Sequence, residues 1–399
     1  MSGSVSNAHR NVSYALALHT QDLNALQEKV ATGAKVNRVS DGPSIAFQLL
    51  SLESQKRSLA NYEETLTSTV STMDMTTTVL EAMATELRET KATLTQIAGG
   101  IHGQTNRNRI AETIDDQLEQ IVLLANSQHG NQYLFGGAKT STLPFAVTRD
   151  TANTGEITAV TYQGSQDQRS VEVAQGVTTD VYWVGVDMFR EDNRGDPTFL
   201  LENTGAAEGS GTSSTHGDVW LEVTHDGTNY QLSIDGGTTK TTVPLVGDVS
   251  NVAVTDSNGD ILYVDASNIT ETGTDVVTIP GSYDLFDILI SIRDILRNEA
   301  NLPEYQLQEV LQDAIGWTGE ISEQLLQQQV AVGSQMGYLD DLKETIDNME
   351  FNIEEETTQI NEADIAQLSI DLARRSVLYE MSLSVAGKLM SVSLLDFLR

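Results

Sequence analysis

The stretch that decides the fold is residues 43–98, which read PSIAFQLLSLESQKRSLANYEETLTSTVSTMDMTTTVLEAMATELRETKATLTQIA. An apolar residue recurs at every seventh position: Ile45, Leu52, Leu59, Leu66, Met73, Leu80, Leu87 and Leu94. This spacing is typical of the seam of a coiled coil. A helix over this stretch would be roughly 80 Å long at about 1.5 Å per residue, too long to bury itself inside one compact globule. Gly99-Gly100 is expected to end it.

Similar stripes lie near both ends of the chain. The first comprises Val5, Val12, Leu16, Leu23, Leu26 and Val30, and Gly33 is predicted to be its C-cap. The second comprises Val332, Met336, Leu339, Ile346, Met349, Ile353 and Ile360, and a last helix is predicted from Ile365 onward. A shorter helix, which contains Ile110, Ile114, Leu118 and Ile121, is predicted to follow Gly99-Gly100 and to run to about Gly130.

The middle of the chain has a different composition. Of the 30 glycines, 18 lie between Gly136 and Gly281, together with four of the 6 prolines. Thr/Val alternation and turn pairs such as Asn258-Gly259 indicate β structure there. We therefore predict a mainly α protein with a β-rich insertion, in which the N- and C-terminal regions form a long antiparallel helical bundle or coiled coil.

Three domains follow from these boundaries. Residues 1–44 and 360–399 are predicted to form a terminal coiled-coil assembly domain, and residues 45–138 and 282–359 a long helical bundle. Residues 139–281 are predicted to form the β-rich outer insertion, in one part or two.

Charge and composition exclude several classes of function. The 399 residues contain 23 Lys and Arg against 57 Asp and Glu, a net charge of -34, which disfavours binding to nucleic acid or to membrane surfaces. With no cysteine, the chain has neither disulfides nor a thiol nucleophile. We expect no cleaved signal peptide and no membrane span, because no suitable apolar run is present.

No pattern of catalytic or cofactor-binding residues stands out, so the prediction is a non-enzyme without cofactor or metal. Gly136-Gly137-Ala138-Lys139-Thr140 lacks the spacing of a phosphate loop and is interpreted as a turn. Asp256, Asn258 and Asp260 have the first spacings of a calcium loop, but Ile261 stands where glycine is needed. A hairpin turn is the preferred interpretation there.

The apolar stripes at the two extreme ends are predicted to be an assembly interface, because they could otherwise bury only each other. The predicted interface residues are Val5, Val12, Leu16, Leu23, Leu26, Leu372, Tyr379, Leu383, Leu394 and Leu395.

Several motifs resemble the flagellin superfamily. They are LQEKVATGAKVN at 26–37, SDGP at 40–43 opening the long helix, and ADIA at 363–366 leading to SLLDFL at 393–398. Asn126 with GNQYLFGG at 130–137, which contains Leu134, Phe135, Gly136 and Gly137, is similar to a segment of the hook–filament junction members. The resemblance covers about residues 1–145 and 300–399. It departs from the family at Asp41-Gly42, where paired acidic residues are usual, and residues 185–280 match nothing we can name.

The resemblance implies a structural protein of the bacterial flagellum, located outside the cell and exported unfolded through the flagellar type III apparatus without a cleaved signal peptide. It implies a junction adaptor whose partners are other copies of itself, the first hook-associated protein on the hook side and flagellin on the filament side, with an export chaperone. Two alternatives remain open: flagellin itself, and a surface adhesin that uses the β insertion.

Overall fold

A computed structural model describes residues 2–100, 103–150, 155–201, 203–244, 247–298 and 302–397, and for residues 2–9 and 389–397 it describes the backbone alone. The helices are α1 (Ser2–Thr32), α2 (Pro43–Ala98), α3 (Gln104–Ala125), α4 (Gly185–Phe189), α5 (Leu285–Arg297), α6 (Glu304–Asn361) and α7 (Ile365–Phe397). A mainly α chain with a β insertion is confirmed, as is the long helix over residues 43–98.

Fourteen strands lie among the described residues, between α3 and α5. They are β1 (Gln128–His129), β2 (Gln132–Tyr133), β3 (Phe145–Arg149), β4 (Ile157–Tyr162), β5 (Arg169–Ala174), β6 (Val177–Tyr182), β7 (Thr198–Phe199), β8 (Ala207–Glu208), β9 (Gly217–His225), β10 (Tyr230–Ser233), β11 (Thr241–Thr242), β12 (Val252–Thr255), β13 (Ile261–Asp265) and β14 (Gly273–Ile279).

All of the strand pairs are antiparallel. The pairs β1–β2, β3–β4 and β5–β6 are hairpins, one five-stranded sheet has the order β11-β10-β9-β14-β7, and one three-stranded sheet has the order β12-β13-β8. Strand β9 alternates buried and half-buried residues, as expected when one face of a sheet covers a core. Its inward side chains, such as Leu221 and Val223, join Val254 and Leu262 of the smaller sheet in one apolar cluster.

The chain divides into two compact units. Residues 1–65 and 341–399 form one, here called the terminal unit, and residues 66–340 form the other, here called the central unit. The three-domain division stays a prediction.

The seven-residue pattern of α2 corresponds to its buried side. Leu52, Leu66, Met73, Leu80, Leu87 and Leu94 are buried, while Ile45 and Leu59 are half-buried. In α6 the seventh positions Val332, Leu339 and Ile346 are buried, but Met349 is 50 % exposed. The other members of the predicted stripe, Met336, Ile353 and Ile360, are half-buried, so the stripe is covered most fully between Val332 and Ile346.

Helix α3 ends at Ala125, five residues before the predicted end at Gly130. Asn126 follows it, and the β1–β2 hairpin then turns through Gly130 and Asn131, both of which have positive φ angles. Such angles are compatible with a tight hairpin turn and not with a helix.

Buried Arg293 ties α5 to two other elements of the central unit. Its guanidinium pairs with Asp115 of α3 at 2.8 Å and donates to the carbonyl of Ile157 in β4 at 2.6 Å. Because the side chain is only 3 % exposed, this charge depends on these partners.

The chain enters and leaves the larger sheet through two backbone segments that are hydrogen-bonded to each other. The N–H groups of Glu191, Asn193 and Gly195 donate to the carbonyls of Tyr283, Gly281 and Pro280 at 2.8–2.9 Å. Residues 196–279 therefore leave and rejoin the rest of the central unit at one place.

Candidate functional site: the terminal helix pair and the 126–137 motif

Helices α1 and α7 pack side by side in the terminal unit. Just beyond the end of α1, the N–H of Lys35 donates to the carbonyl of Asn361 at 2.7 Å, and the N–H of Ala363 donates to Gly33 at 2.9 Å. Ten residues inside each helix, Arg375 pairs with Asp22 at 2.6 Å. The equal offset from the joined ends means that the two helices run antiparallel.

Gly33 makes the turn that brings them together. Its φ of +70° lies in the left-handed region, and its N–H donates to the carbonyl of Lys29 at 2.9 Å. This is the conformation that favours glycine after the last turn of a helix, so the predicted C-cap is confirmed.

The predicted interface residues lie mainly along the line where α1 and α7 meet. Six of them are half-buried, namely Val12, Leu16, Leu23, Leu26, Leu372 and Tyr379. Leu383 is 45 % exposed. The side chains of Val5, Leu394 and Leu395 lie outside the described residues, although their backbones continue the two helices. The contact between α1 and α7 already covers part of the predicted surface.

A second set of apolar residues lies on the outward side of each helix. At about 100° per residue, Val377 and Met381 are roughly opposite Leu372 and Tyr379 on α7, and Tyr14 is opposite Leu23 on α1. The exposed apolar side chains of the pair include Tyr14 at 69 %, Ile370 at 62 %, Met381 at 61 %, Val377 at 56 % and Val385 at 54 %. The seven-residue pattern did not select them, because they belong to the opposite side of each helix. The face of a helix opposite its apolar stripe is ordinarily polar, so the number of apolar residues there was the sequence signal that could have identified this surface.

The helix pair is electrically balanced, whereas the rest of the chain is not. Helix α1 has two Lys or Arg and two Asp or Glu, and α7 has three of each. Residues 66–340 contain 12 Lys and Arg against 39 Asp and Glu, a net charge of -27. Neutral apolar faces suit packing between proteins, and the charge is concentrated in the central unit.

The second candidate site is the 126–137 motif, and its residues are structural. The side chain of Asn126, directly after α3, makes two hydrogen bonds to the backbone of Phe145. Its Nδ2 donates to the carbonyl at 2.9 Å and its Oδ1 accepts from the N–H at 3.0 Å. One amide thus fixes the start of β3 against the end of the helix.

Leu134 and Phe135 fill the core beside that joint, and both are fully buried. The Phe135 ring lies 4.8 Å from that of Phe189 in an edge-to-face arrangement, and Phe145 and Phe286 extend the cluster. Tyr162 packs on Phe145 at 5.2 Å, and burial raises the pKa of its phenol above the ordinary value.

The two glycines are required by close backbone approaches. A Cβ on Gly136 would lie 2.7 Å from the carbonyl oxygen of Lys139. Gly137 has a φ of +59°, and a Cβ there would lie 2.7 Å from the carbonyl oxygens of both Ser165 and Asp167. The predicted turn is confirmed, and it also anchors the loop that follows β4.

The Asp256–Asp260 segment is a hairpin turn that joins β12 to β13, as expected. Among the described residues, no group of three or more His, Asp or Glu side chains is arranged to hold a metal ion. None of the helices in this part of the chain combines the length and hydropathy that a bilayer span requires.

Comparisons with known proteins agree with this geometry. Residues 4–140 match the family model of the bacterial flagellin N-terminal helical region. Flagellar hook-associated protein 3 of Escherichia coli K12 is 28 % identical over 120 residues, which is 30 % of this chain and 38 % of that protein. The protein of the same name from Salmonella typhimurium LT2 is 26 % identical over 165 residues, which is 41 % of this chain and 49 % of that protein. The resemblance to flagellar hook-associated protein 3 is confirmed. The matched regions span less than half the length of these two relatives.

Solved structures share the fold. The flagellar junction protein of Legionella pneumophila superposes with a TM-score of 0.50 at 16 % identity, covering 79 % of this chain and 99 % of that one. A putative flagellar hook-associated protein from Vibrio parahaemolyticus also gives 0.50, at 13 % identity, covering 81 % of this chain and all of that one. At these identities the likeness concerns the fold alone.

Proposed function

We propose that this chain is a structural protein of the bacterial flagellum. It acts as a junction adaptor that joins hook-side proteins to the flagellin filament through its terminal helices. The observation that carries the proposal is the outward apolar face of α1 and α7, defined by Tyr14, Ile370, Val377, Met381 and Val385, on a neutral helix pair. The similarity to flagellar hook-associated protein 3 supports the location.

The mechanism is heterologous packing of one helix pair on the next. A contact between different faces of neighbouring copies generates an open helical array when the rotation does not close. A layer of this chain could then be continued by another protein with similar terminal helices. Its partners in this proposal are other copies of itself, the first hook-associated protein, flagellin and an export chaperone. The net negative charge of the central unit limits non-specific association.

Deleting the gene tests the role in cells. We expect hooks without filaments, loss of motility and flagellin released into the medium, all restored by the wild-type gene. Normal filaments on the deleted strain would contradict the junction role. Long filaments formed by the purified protein alone would instead favour flagellin.

A matched pair of variants tests the surface. Met381→Glu places a carboxylate on the outward face of α7, and Leu123→Glu makes a similar exchange at a position 72 % exposed on α3. Neither site is buried, so both proteins should keep their stability to within about 0.5 kcal/mol. We expect only Leu123→Glu to restore filament attachment when supplied to the deletion strain. Full complementation by Met381→Glu, at equal export, would remove the terminal helices from the contact.

A further inference from the structure

The central unit contains a cleft of about 310 Å³ that the proposed junction role does not use. It lies where the segment after α4, the residues before β9, the β12–β13 turn and the start of α5 come together. Its volume is at the lower end of the range for small-ligand sites, and its lining is mostly polar.

Carboxylates dominate this lining. Asp256, Asp260, Asp284 and Asp287 share it with two basic side chains, Arg190 and His216. Burial, and then the charges of Arg190 and Arg194, lower the pKa of His216, which favours its neutral form. Asp284 caps α5 by accepting the N–H of Phe286 at 2.9 Å, and Asp256 accepts the N–H groups of Asn258 and Asp260 at 2.9 and 2.8 Å.

The other two carboxylates, those of Asp260 and Asp287, make fewer hydrogen bonds within the protein. Asp260 accepts one 3.4 Å bond from the hydroxyl of Ser214, and Asp287 is exposed in the first turn of α5. A cation that enters the cleft can therefore use them without breaking the turn or the helix cap.

A buried hydroxyl in the same lining points independently to a ligand. Thr215 is only 4 % exposed, and its Oγ1 has no hydrogen-bond partner among the described residues. A buried hydroxyl without a hydrogen-bond partner is unfavourable, because it has lost its hydrogen bonds to water. A ligand with N–H groups would supply the missing partner.

We propose that this cleft binds an alkylammonium group, which Asp260 and Asp287 hold by charge and Thr215 by a hydrogen bond. The ammonium has three N–H donors and one positive charge, and it can contact separate carboxylates and a hydroxyl together. A free diamine or a lysine side chain of another protein could carry it.

Electrostatics supports this assignment. Burial raises the pKa of Asp284 to about 6, so near pH 6 this carboxyl is partly protonated without a ligand. Desolvation in the cleft, and then the charges of Asp284 and Asp218, raise the pKa of Asp287 well above its ordinary value, and the Arg190 guanidinium opposes this shift. A bound ammonium favours the ionised form of both carboxyls, so binding at pH 6 should release protons.

Titration calorimetry of the whole chain in 0.15 M NaCl tests the proposal. The probe is 1,4-diaminobutane, and 1,4-butanediol is the uncharged control of the same length. A short peptide with one central lysine and blocked ends distinguishes a protein side chain from a free amine. At pH 6, two buffers with different ionisation enthalpies reveal any proton release.

We expect saturable binding of the diamine and none of the diol. Asp287→Asn should weaken binding at least tenfold and Thr215→Val about threefold or more, whereas Asp116→Asn, which removes an exposed charge on α3, should change it less than twofold. Binding of the peptide as tight as that of the diamine assigns the site to a lysine side chain, and weaker binding assigns it to a free amine.

Two results would overturn the proposal: no saturable binding, or equal weakening by Asp116→Asn and Asp287→Asn, which indicates a general counter-ion effect. The measurement uses the unassembled chain. Its failure therefore leaves the junction role untouched, and failure of the junction role leaves the cleft untouched.

Discussion

Replacing Gly137 with alanine should destabilise the central unit well beyond the ordinary cost of a left-handed residue. Gly176 is the matched control, because it has a φ of +74° in the β5–β6 turn and a Cβ added there would have no atom within 4 Å, whereas a Cβ at Gly137 would lie 2.7 Å from two carbonyl oxygens. Both variants place alanine in the left-handed region, and only one adds a collision.

The magnitudes can be worked out separately. An L-residue in the left-handed region costs about 1–2 kcal/mol, which is the whole effect expected for Gly176→Ala. At Gly137 the chain must also move to relieve the two contacts, and overpacking of this kind costs about 1–3 kcal/mol more. The movement would strain the 2.9 Å hydrogen bond from the Gly137 N–H to the carbonyl of Trp183.

Urea unfolding followed by tryptophan fluorescence measures this difference. All 3 tryptophans, Trp183, Trp220 and Trp317, lie in the central unit, so the signal reports that unit alone. We expect Gly137→Ala to lose about 1–3 kcal/mol more free energy of unfolding than Gly176→Ala. Equal losses in the two variants would refute the argument from close approach, because backbone conformation alone would then explain both.

Three further predictions concern charge. Arg293→Met leaves the Asp115 carboxylate without its buried partner and should cost about 3–5 kcal/mol in urea unfolding, while exposed Arg109→Met should stay within about 0.5 kcal/mol. Burial raises the pKa of Asp218 from 3.8 to about 6, so the folded state binds its proton more tightly than the unfolded state. The central unit should therefore gain about 1 kcal/mol from this group as pH falls from 7.5 to 5, and Asp218→Asn should remove that gain in unfolding measured across this range. Association between copies, measured by sedimentation, should strengthen as NaCl rises from 0.1 to 1 M. The added salt shortens the Debye length from about 10 to 3 Å and so screens the repulsion between central units, each of which has a net charge of -27. Association that is unchanged or weaker would show that this repulsion is unimportant.

Local periodicity predicted the helices well. The bounds of α2 follow from Pro43 and the double glycine after Ala98, and the burial of Leu66 and Leu80 follows from their seven-residue spacing. These features depend on neighbours in sequence, where spacing along the chain determines which side chains share a face.

Contacts between distant segments could not be predicted in this way. The aromatic cluster joins Phe135, Phe145, Phe189 and Phe286, which are up to 151 positions apart in the numbering, and no local pattern relates them. The outward face of α7 was missed for a different reason. The interface prediction followed the strongest stripe, which in this fold is largely used by the contact between α1 and α7.

The backbone pairing of residues 191–195 with 280–283 has a consequence for engineering. Because the two ends of the 196–279 segment lie side by side, this segment can be exchanged as one unit. A short turn could replace it, or a foreign domain with adjacent ends could be grafted there, while α3 and the 126–137 motif remain. Helix α5 would lose its contact with β9. If the chain forms a layer, each copy would then display one grafted domain at a regular spacing.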